Sequence, residues 1–195
     1  MLLVNDGSNR NLTNEINQLQ GSYPIILFEN LENLGKGYSI RSAASASSAD
    51  YIIFTDVDFP YTTDSLVKLF HTLDKDRCHV ALGIRDKNYY MEIPNSRKRI
   101  SKTLKVLNKK LMNLITSDTQ CGLKGMTQTG KKVLMLTKQN RYLIDLEFIK
   151  LLSKRNDLGT ELITVQLREG VTFSKVPAKK ILNEGIAYFK VLFGQ

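Results

Sequence analysis

The run Tyr51-Ile52-Ile53-Phe54-Thr55 is β-branched or aromatic at every position and leads directly into Asp56-Val57-Asp58. Such a run reads as a strand that needs burial, with the acidic triplet delivered at its carboxyl end. Shorter runs repeat the pattern. Leu2-Leu3-Val4 is stopped by Asn5-Asp6-Gly7-Ser8, and the segment 23–29, with Pro24-Ile25-Ile26-Leu27-Phe28, ends at Asn30. His79 to Ile84 and Leu162 to Leu167 complete the strand candidates. Helical segments are expected between them, at about 13–20, 38–49 and 63–73. Strands alternating with helices predict an α/β fold with a mainly parallel sheet, whose ligands gather at the carboxyl ends of the strands. The turns at Asn5–Ser8, Asp56–Asp58 and Gly83–Asp86 all fall at such ends.

No repeat, linker or low-complexity tract divides residues 1–195, so they read as a single domain. Cys78 and Cys121 are the only cysteines, too few for a disulfide framework and without zinc-type spacing, which points to a reducing compartment. No apolar run approaches the roughly 20 residues that cross a bilayer, and the first residues lack the order of a signal peptide. The chain is therefore expected to be soluble or surface-bound. A formal charge of +9 calls for an anionic partner: nucleic acid, a phosphorylated lipid, or a nucleotide together with a membrane. The absence of a zinc-finger pattern or RNP-type aromatic motif argues against nucleic acid.

The second half carries that charge unevenly. Across 97–115, Ile100, Leu104, Leu107, Leu111 and Leu114 recur at helical spacing, with Lys98, Lys102, Lys105 and Lys109 opposite them at 100° per residue. No acidic residue occurs between Ile93 and Ser117. This is a basic amphipathic helix, suited to the core on one side or to a membrane interface. Asp118 to Met126 reads as a polar, glycine-containing stretch. Helices are expected at about 131–136 and through Leu152. A C-terminal amphipathic helix over 178–193, with Leu182, Ile186, Phe189 and Phe193 in one stripe, would dock on membrane or on a separate membrane-spanning partner if exposed.

Asp56 and Asp58 are the sharpest candidates for chemistry. Extended backbone sends alternate side chains to one face, so both carboxylates would point together and need a cation between them. Hard oxygen ligands suit Mg²⁺ or Mn²⁺, which keeps positions open for phosphate oxygens. Gly35-Lys36-Gly37 before a helix would let backbone amides approach a phosphate, with Lys36 adding charge. Arg85 after its strand is a candidate pyrophosphate partner or an ordinary surface arginine. Each of these turns, taken alone, also reads as an ordinary surface turn.

In this order the motifs resemble the inverting family 2 glycosyltransferases of GT-A fold. The pieces are Val4-Asn5-Asp6-Gly7-Ser8, then Glu32-Asn33-Leu34-Gly35-Lys36-Gly37 with Arg41, then Ala49-Asp50-Tyr51 through Asp58. Gly83-Ile84-Arg85, Arg97 with Ser101, Asp118-Thr119-Gln120-Cys121-Gly122-Leu123-Lys124-Gly125 and Asp145-Leu146-Glu147 bring the chain nearest to polyprenyl-phosphate sugar transferases of the dolichyl-phosphate mannosyltransferase type.

The resemblance implies a Rossmann-like three-layer sandwich around a mainly parallel mixed sheet. It further implies transfer of a sugar from a UDP- or GDP-sugar to a polyprenyl phosphate, metal-dependent and inverting, in a cytoplasmic, peripheral place at the inner face of a membrane. Asp6 and Gly7 would lie at the nucleoside; Lys36, Arg41, Asp56 and Arg85 at the donor; Asp56 and Asp58 at the metal. Arg97, Arg99 and Lys102 would meet the acceptor phosphate, and Asp118 and Glu147 would lie near the sugar and the reacting oxygen. Members of this family begin with a further strand and helix carrying Pro-x-Tyr-Asn-Glu, whereas Met1 stands directly before what would be their second strand. Asn5 stands where an aspartate is usual, and Pro60 where some relatives have a polar residue. A polysaccharide-elongating enzyme with a hydroxyl acceptor and a non-catalytic binding protein are the alternatives.

Overall fold

The computed structural model describes residues 1–9, 12–20, 24–74, 78–86, 89, 95–171, 188 and 191–193. In chain order the elements are β1 (Leu2–Asp6), α1 (Thr13–Gln20), β2 (Ile26–Asn30), α2 (Lys36–Ala46), β3 (Tyr51–Phe54) and α3 (Thr63–Leu73). Then follow β4 (Val80–Arg85), α4 (Asn95–Leu111), β5 (Lys124–Thr127), α5 (Gln128–Leu134), α6 (Ile144–Leu152) and β6 (Thr160–Val165). Helix α1 has the bounds expected of it; β5 was not expected, because Lys124-Gly125-Met126-Thr127 lacks both alternation and a β-branched run.

The strands form two sheets. β1 and β2 pair in parallel, Leu2 opposite Ile26. The larger sheet runs β3-β5-β4-β6. β4 and β6 are parallel, while β5 is antiparallel to β3 on one side and to β4 on the other. β3, β4 and β6 therefore run one way and the unexpected β5 the other, which makes this the mainly parallel mixed sheet that the resemblance implies. Among the described residues β1 pairs only with β2, and β3 only with β5. The most strongly apolar run in the sequence accordingly stands at an edge, half-buried along its length.

Helices cover both faces of the larger sheet, because alternate strand residues point to opposite sides. Val80, Leu82 and Met126 face a core shared with Leu134 of α5 and Phe148 and Ile149 of α6. Ala81, Ile163 and Val165 face Leu69 and Leu73 of α3 on the other side. Each large apolar side chain fully buried here contributes about 1.5–3 kcal/mol relative to exposure. Thr62 caps α3, its hydroxyl accepting from the Ser65 amide, and Thr127 caps α5 in the same way toward Gly130. Cys78 and Cys121 are buried and not joined in a disulfide.

Helix α4 is rotated relative to its leucine stripe. Its inner side is set by Asn108 and Met112, both buried, whereas Leu107 and Leu111 are 36% and 51% exposed. Asn108 donates to Thr119 Oγ1 at 3.2 Å and accepts from Tyr188 Oη at 3.0 Å, so a polar side chain with satisfied bonds takes the interior place. The side chains of Ile100, Leu104, Arg97 and Lys109 lie outside the described residues, as do Leu182, Ile186 and Phe189. In the described part of the C-terminal helix Tyr188 and Val191 are buried and Phe193 is 72% exposed. Among the described residues no helix is long and apolar enough to cross a membrane.

Candidate active site

The first turn is built around one carboxylate. Asp6 Oδ1 accepts from the Leu34 amide and from Asn30 Nδ2, each at 2.9 Å, and Oδ2 accepts from the Gly35 amide at 2.8 Å. Burial raises the Asp6 pKa, but these donors outweigh it and hold the group below the ordinary carboxylate value. Gly7 has φ 70, and a Cβ there would stand 2.3 Å from the Glu32 carbonyl carbon. Asp6 and Gly7, expected at the nucleoside, here fasten the loop 32–35 against the end of β1.

That loop delivers Lys36. Its ammonium lies 2.9 Å from Asp56 Oδ1 and 3.0 Å from Asp145 Oδ2. Asp145 Oδ1 meets Lys124 at 2.7 Å, and Lys124, fully buried, also donates to the Cys121 carbonyl at 2.5 Å. The result is an alternating row, Lys124, Asp145, Lys36, Asp56, running from the sheet interior to the end of β3. Burial pushes the Lys36 pKa down, yet Asp145 and Asp56 more than reverse this and hold it above an ordinary lysine. Burial likewise raises Asp145, and Lys124 and Lys36 outweigh it and keep it ionised. Lys124 and the structural part of Asp145 were missed from sequence. The signal was there: a lysine beside Leu123 and an aspartate between Ile144 and Leu146, each where an apolar residue belongs.

The amides that follow Lys36 are already bonded. Gly37 N and Tyr38 N both donate to the Asn140 carbonyl, at 2.7 and 3.2 Å. A Cβ at Gly35 or Gly37 would lie 2.3 Å from the Asn140 carbonyl oxygen or 2.2 Å from that of Gln139. The two glycines admit the loop 137–140 rather than leaving the helix terminus open to a phosphate. Arg41 serves the same loop: Nη1 donates to Gln139 O at 2.8 Å, and Nη2 to Asn140 Oδ1. Glu147 holds it from the other side, Oε2 accepting from the amides of Lys138 and Gln139 at 2.8 Å each.

Strand β3 ends at Phe54, and Phe59 N donates to Asp56 O at 2.9 Å across a turn in which Phe59 has φ 40. The two-residue period therefore stops short of Asp56 and Asp58. Among the described residues Asp58's carboxylate has no hydrogen-bond or ion-pair partner, while Arg168 Nη2 donates to its carbonyl at 3.1 Å. Thr55 Oγ1, just before the turn, is buried without a partner. Asp56 Oδ2 faces Gly122, where a Cβ would stand 2.2 Å away. No group of three or more His, Cys, Asp or Glu side chains among the described residues is placed to hold a metal. Asp56, with Lys36 beside it, and the carboxylate of Asp58 two residues on, unpartnered among the described residues, are hard oxygen donors of the kind that Mg²⁺ or Mn²⁺ would take.

Arg85 and Asp118 face each other. The guanidinium reaches both carboxylate oxygens, Nε at 3.0 Å from each and Nη2 against Oδ1, and the Arg85 amide donates to Oδ2 at 2.7 Å. Burial raises the Asp118 pKa, but Arg85 outweighs it and holds the acid ionised. Arg85 Nη1 donates to Tyr89 Oη at 3.1 Å. Tyr61, also unforeseen, pins the next turn: its hydroxyl accepts from the Gly122 amide at 3.2 Å and from Cys121 Sγ at 3.3 Å. Of the residues expected at the acceptor, Arg99 and Lys102 are exposed on α4. Arg97 is placed in that helix by its backbone alone.

The structure thus gathers Asp6, Gly35, Lys36, Asp56 and Gly122 at the ends of β1 and β3, and Arg85 with Asp118 at the end of β4. The family model for Glycosyl transferase family 2 matches residues 1–134. No curated protein sequence matches the chain. Among solved structures, glucosyl-3-phosphoglycerate synthase from Mycobacterium tuberculosis in complex with UDP is similar, with a TM-score of 0.65 at 14% identity over 99% of this chain and 67% of that one. Another structure of the same enzyme gives a TM-score of 0.64 at 15% identity, over 99% and 69%. A complex with Mn²⁺, UDP-glucose and glycerol 3-phosphate gives 0.60 at 13%, over 99% and 67%. The likeness establishes the fold, the GT-A α/β architecture with a mixed sheet.

Proposed function

The chain belongs to glycosyl transferase family 2, and we propose that this glycosyltransferase moves a sugar from a UDP- or GDP-sugar to a polyprenyl phosphate at a membrane surface, with inversion and with Mg²⁺ or Mn²⁺. The donor half draws support from the cluster at the ends of β1 and β3, and from the complex of the structurally similar synthase with Mn²⁺ and UDP-glucose.

The acceptor half is carried by one observation, the pairing of Asp118 with Arg85. A sugar hydroxyl must lose a proton as it attacks, which calls for a base with a pKa near the working pH. Asp118 is held ionised well below that range, and one oxygen of Glu147 is taken by two backbone amides. A phosphate monoester, with a second pKa of about 6, is already anionic and needs no such base. Phosphoglyceric acid and glycerol 3-phosphate, bound in structures of the synthase, are anionic through their phosphates but also carry hydroxyls, so they support an anionic acceptor rather than attack by phosphate. The basic surface of α4 favours a lipid-borne phosphate over a small soluble one.

In this reading Asp56 and Asp58 hold the cation, which when bound neutralises charge growing on the leaving diphosphate. Lys36 directs two of the three N–H donors of a lysine at carboxylates, and the third is the one that would meet the diphosphate. Asp118 orients the donor sugar, and Arg99 and Lys102, exposed on the outer side of α4, draw the anionic lipid toward the site without contacting the reacting oxygen. Two buried cysteines outside any disulfide suit the cytoplasmic side of the membrane.

The test is a turnover assay with UDP- and GDP-sugars and Mn²⁺ against polyprenyl phosphate, 3-phosphoglycerate and oligosaccharide. Transfer to polyprenyl phosphate is expected. Transfer to 3-phosphoglycerate alone would overturn the lipid assignment, and transfer to the oligosaccharide alone would overturn the phosphate. Failure to bind either nucleotide, with or without Mn²⁺, would make the chain a non-catalytic protein.

A further inference from the structure

Helix α4 presents to solvent a face that a core helix would hide. With Asn108 and Met112 turned inward, Val106, Leu107 and Leu111 are exposed, and Ile115 beyond the helix end is 40% exposed. The rotation is fixed rather than incidental, because Asn108 is bonded on both sides, to Thr119 and Tyr188. Lys102 and Lys110 are exposed on the same outward arc, and no acidic residue from Ile93 to Ser117 offsets them. From Leu111 the surface continues into a groove of about 310 Å³, walled by Leu114 and Leu192 and bearing Lys150 and Lys154. The Lys150 ammonium donates to the Val191 and Leu192 carbonyls, whereas Lys154 is exposed.

We propose that this face, Val106, Leu107, Leu111 and Ile115 with Lys110 and Lys154 around them, docks on an anionic lipid bilayer. Apolar side chains between lysines, on a helix lying along the surface, match the layered chemistry of the interface: acyl chains below, phosphates at the lysine heads. Lysine stems are long enough to reach headgroups while the leucines go deeper. A second copy of the chain is a poor occupant, since two like faces of a +9 protein would repel. Nucleic acid would use the lysines but not the leucines. The bilayer uses both.

Docking has a consequence for the site. The inner side of the same helix touches Thr119, next to Asp118, and the charge of Lys105 helps keep Asp118 ionised. A bilayer against the outer side therefore lies one helix away from the Arg85–Asp118 pair. The inference stands on the helix and groove alone and does not require the lipid-phosphate acceptor.

The experiment is flotation of the full chain with phosphatidylcholine vesicles, with and without phosphatidylglycerol, for wild type, Leu107→Ser/Leu111→Ser and Lys110→Glu/Lys154→Glu. The expected result is flotation with phosphatidylglycerol vesicles only, reduced about tenfold or more in both variants, since membrane partition follows buried apolar area and charge. Thermal unfolding midpoints should stay unchanged, because these side chains are exposed. Equal partition of wild type and variants, or equal partition on neutral vesicles, would overturn the docking face. So would a wild-type dimer in light scattering that the serine variant abolishes. If wild type never floats yet transfers sugar to detergent-dispersed polyprenyl phosphate, the docking face fails while the acceptor assignment stands.

Discussion

Lys36 Nζ sits 2.9 Å from Asp56 Oδ1, so the carboxylate expected to meet a metal already carries an ammonium partner. The same ammonium is 3.0 Å from Asp145, which ties the end of β3 to the start of α6. In the proposed function the metal and Lys36 share Asp56, and Asp145 anchors the lysine beside it.

Lys36→Met should separate two effects. Removing a competing cation should tighten Mn²⁺ binding several-fold without nucleotide, while loss of a donor facing the diphosphate should weaken nucleotide binding about tenfold, as for a charge-assisted hydrogen bond. Calorimetric titration with Mn²⁺ alone and with UDP or GDP plus Mn²⁺ checks both. If the two affinities fall together, Lys36 is only a structural strut.

Asp145→Asn should strand Lys124 with its charge buried and cost about 3–5 kcal/mol, the usual penalty for breaking a buried pair. The pH dependence has a definite sign. Asp145 is lowered in the folded state from 3.8, so its contribution is present above that value and is lost as pH falls through the lower folded one. Urea midpoints measured from neutral to pH about 2 should show wild type losing stability below about pH 4, with the asparagine variant weaker at neutral pH and flatter in acid.

Gly122→Ala should act on Asp56 without touching the ligand. Its Cβ would lie 2.2 Å from Asp56 Oδ2, so the carboxylate must move. A displacement near 1 Å in a preorganised site costs on the order of a hundredfold in rate. Turnover at saturating Mn²⁺ should fall by about that factor with little change in unfolding midpoint. Unchanged turnover would remove Asp56 from the site.

What the sequence made legible is local. Strands β1 to β4 and β6 announce themselves through apolar runs, and the turns at their ends mark the site. What it hid depends on partners far along the chain. β5 is invisible because its first residue is a lysine, whose ammonium becomes buried only when Asp145 arrives 21 residues later. Gly125 in the same strand leaves room for Leu69 and Leu73, whose side chains a Cβ would meet at 2.5 and 2.7 Å. The rotation of α4 could not be read from its leucines, because a bonded asparagine rather than a leucine sets the inner side. Asp56 and Asp58 are legible as candidates from their position after β3, but the period used to aim them fails where the backbone turns at Phe59.

Asp118 offers a test of the chemistry through pH. Its carboxylate is gripped by the Arg85 guanidinium and by the Arg85 amide, so it stays ionised throughout the range in which an enzyme is assayed. A group that does not titrate there contributes no limb to the dependence of kcat/KM on pH. Asp118→Asn should therefore lower the rate of transfer to polyprenyl phosphate by roughly ten- to a hundredfold, through loss of alignment, and leave the shape of the pH profile as in wild type. Arg85→Lys should act in the same direction, because an ammonium cannot fork onto both carboxylate oxygens. If the acid limb of the wild-type profile disappears in Asp118→Asn, the carboxylate is removing a proton. The acceptor would then have to be a hydroxyl, and the phosphate assignment would fall with the alignment role.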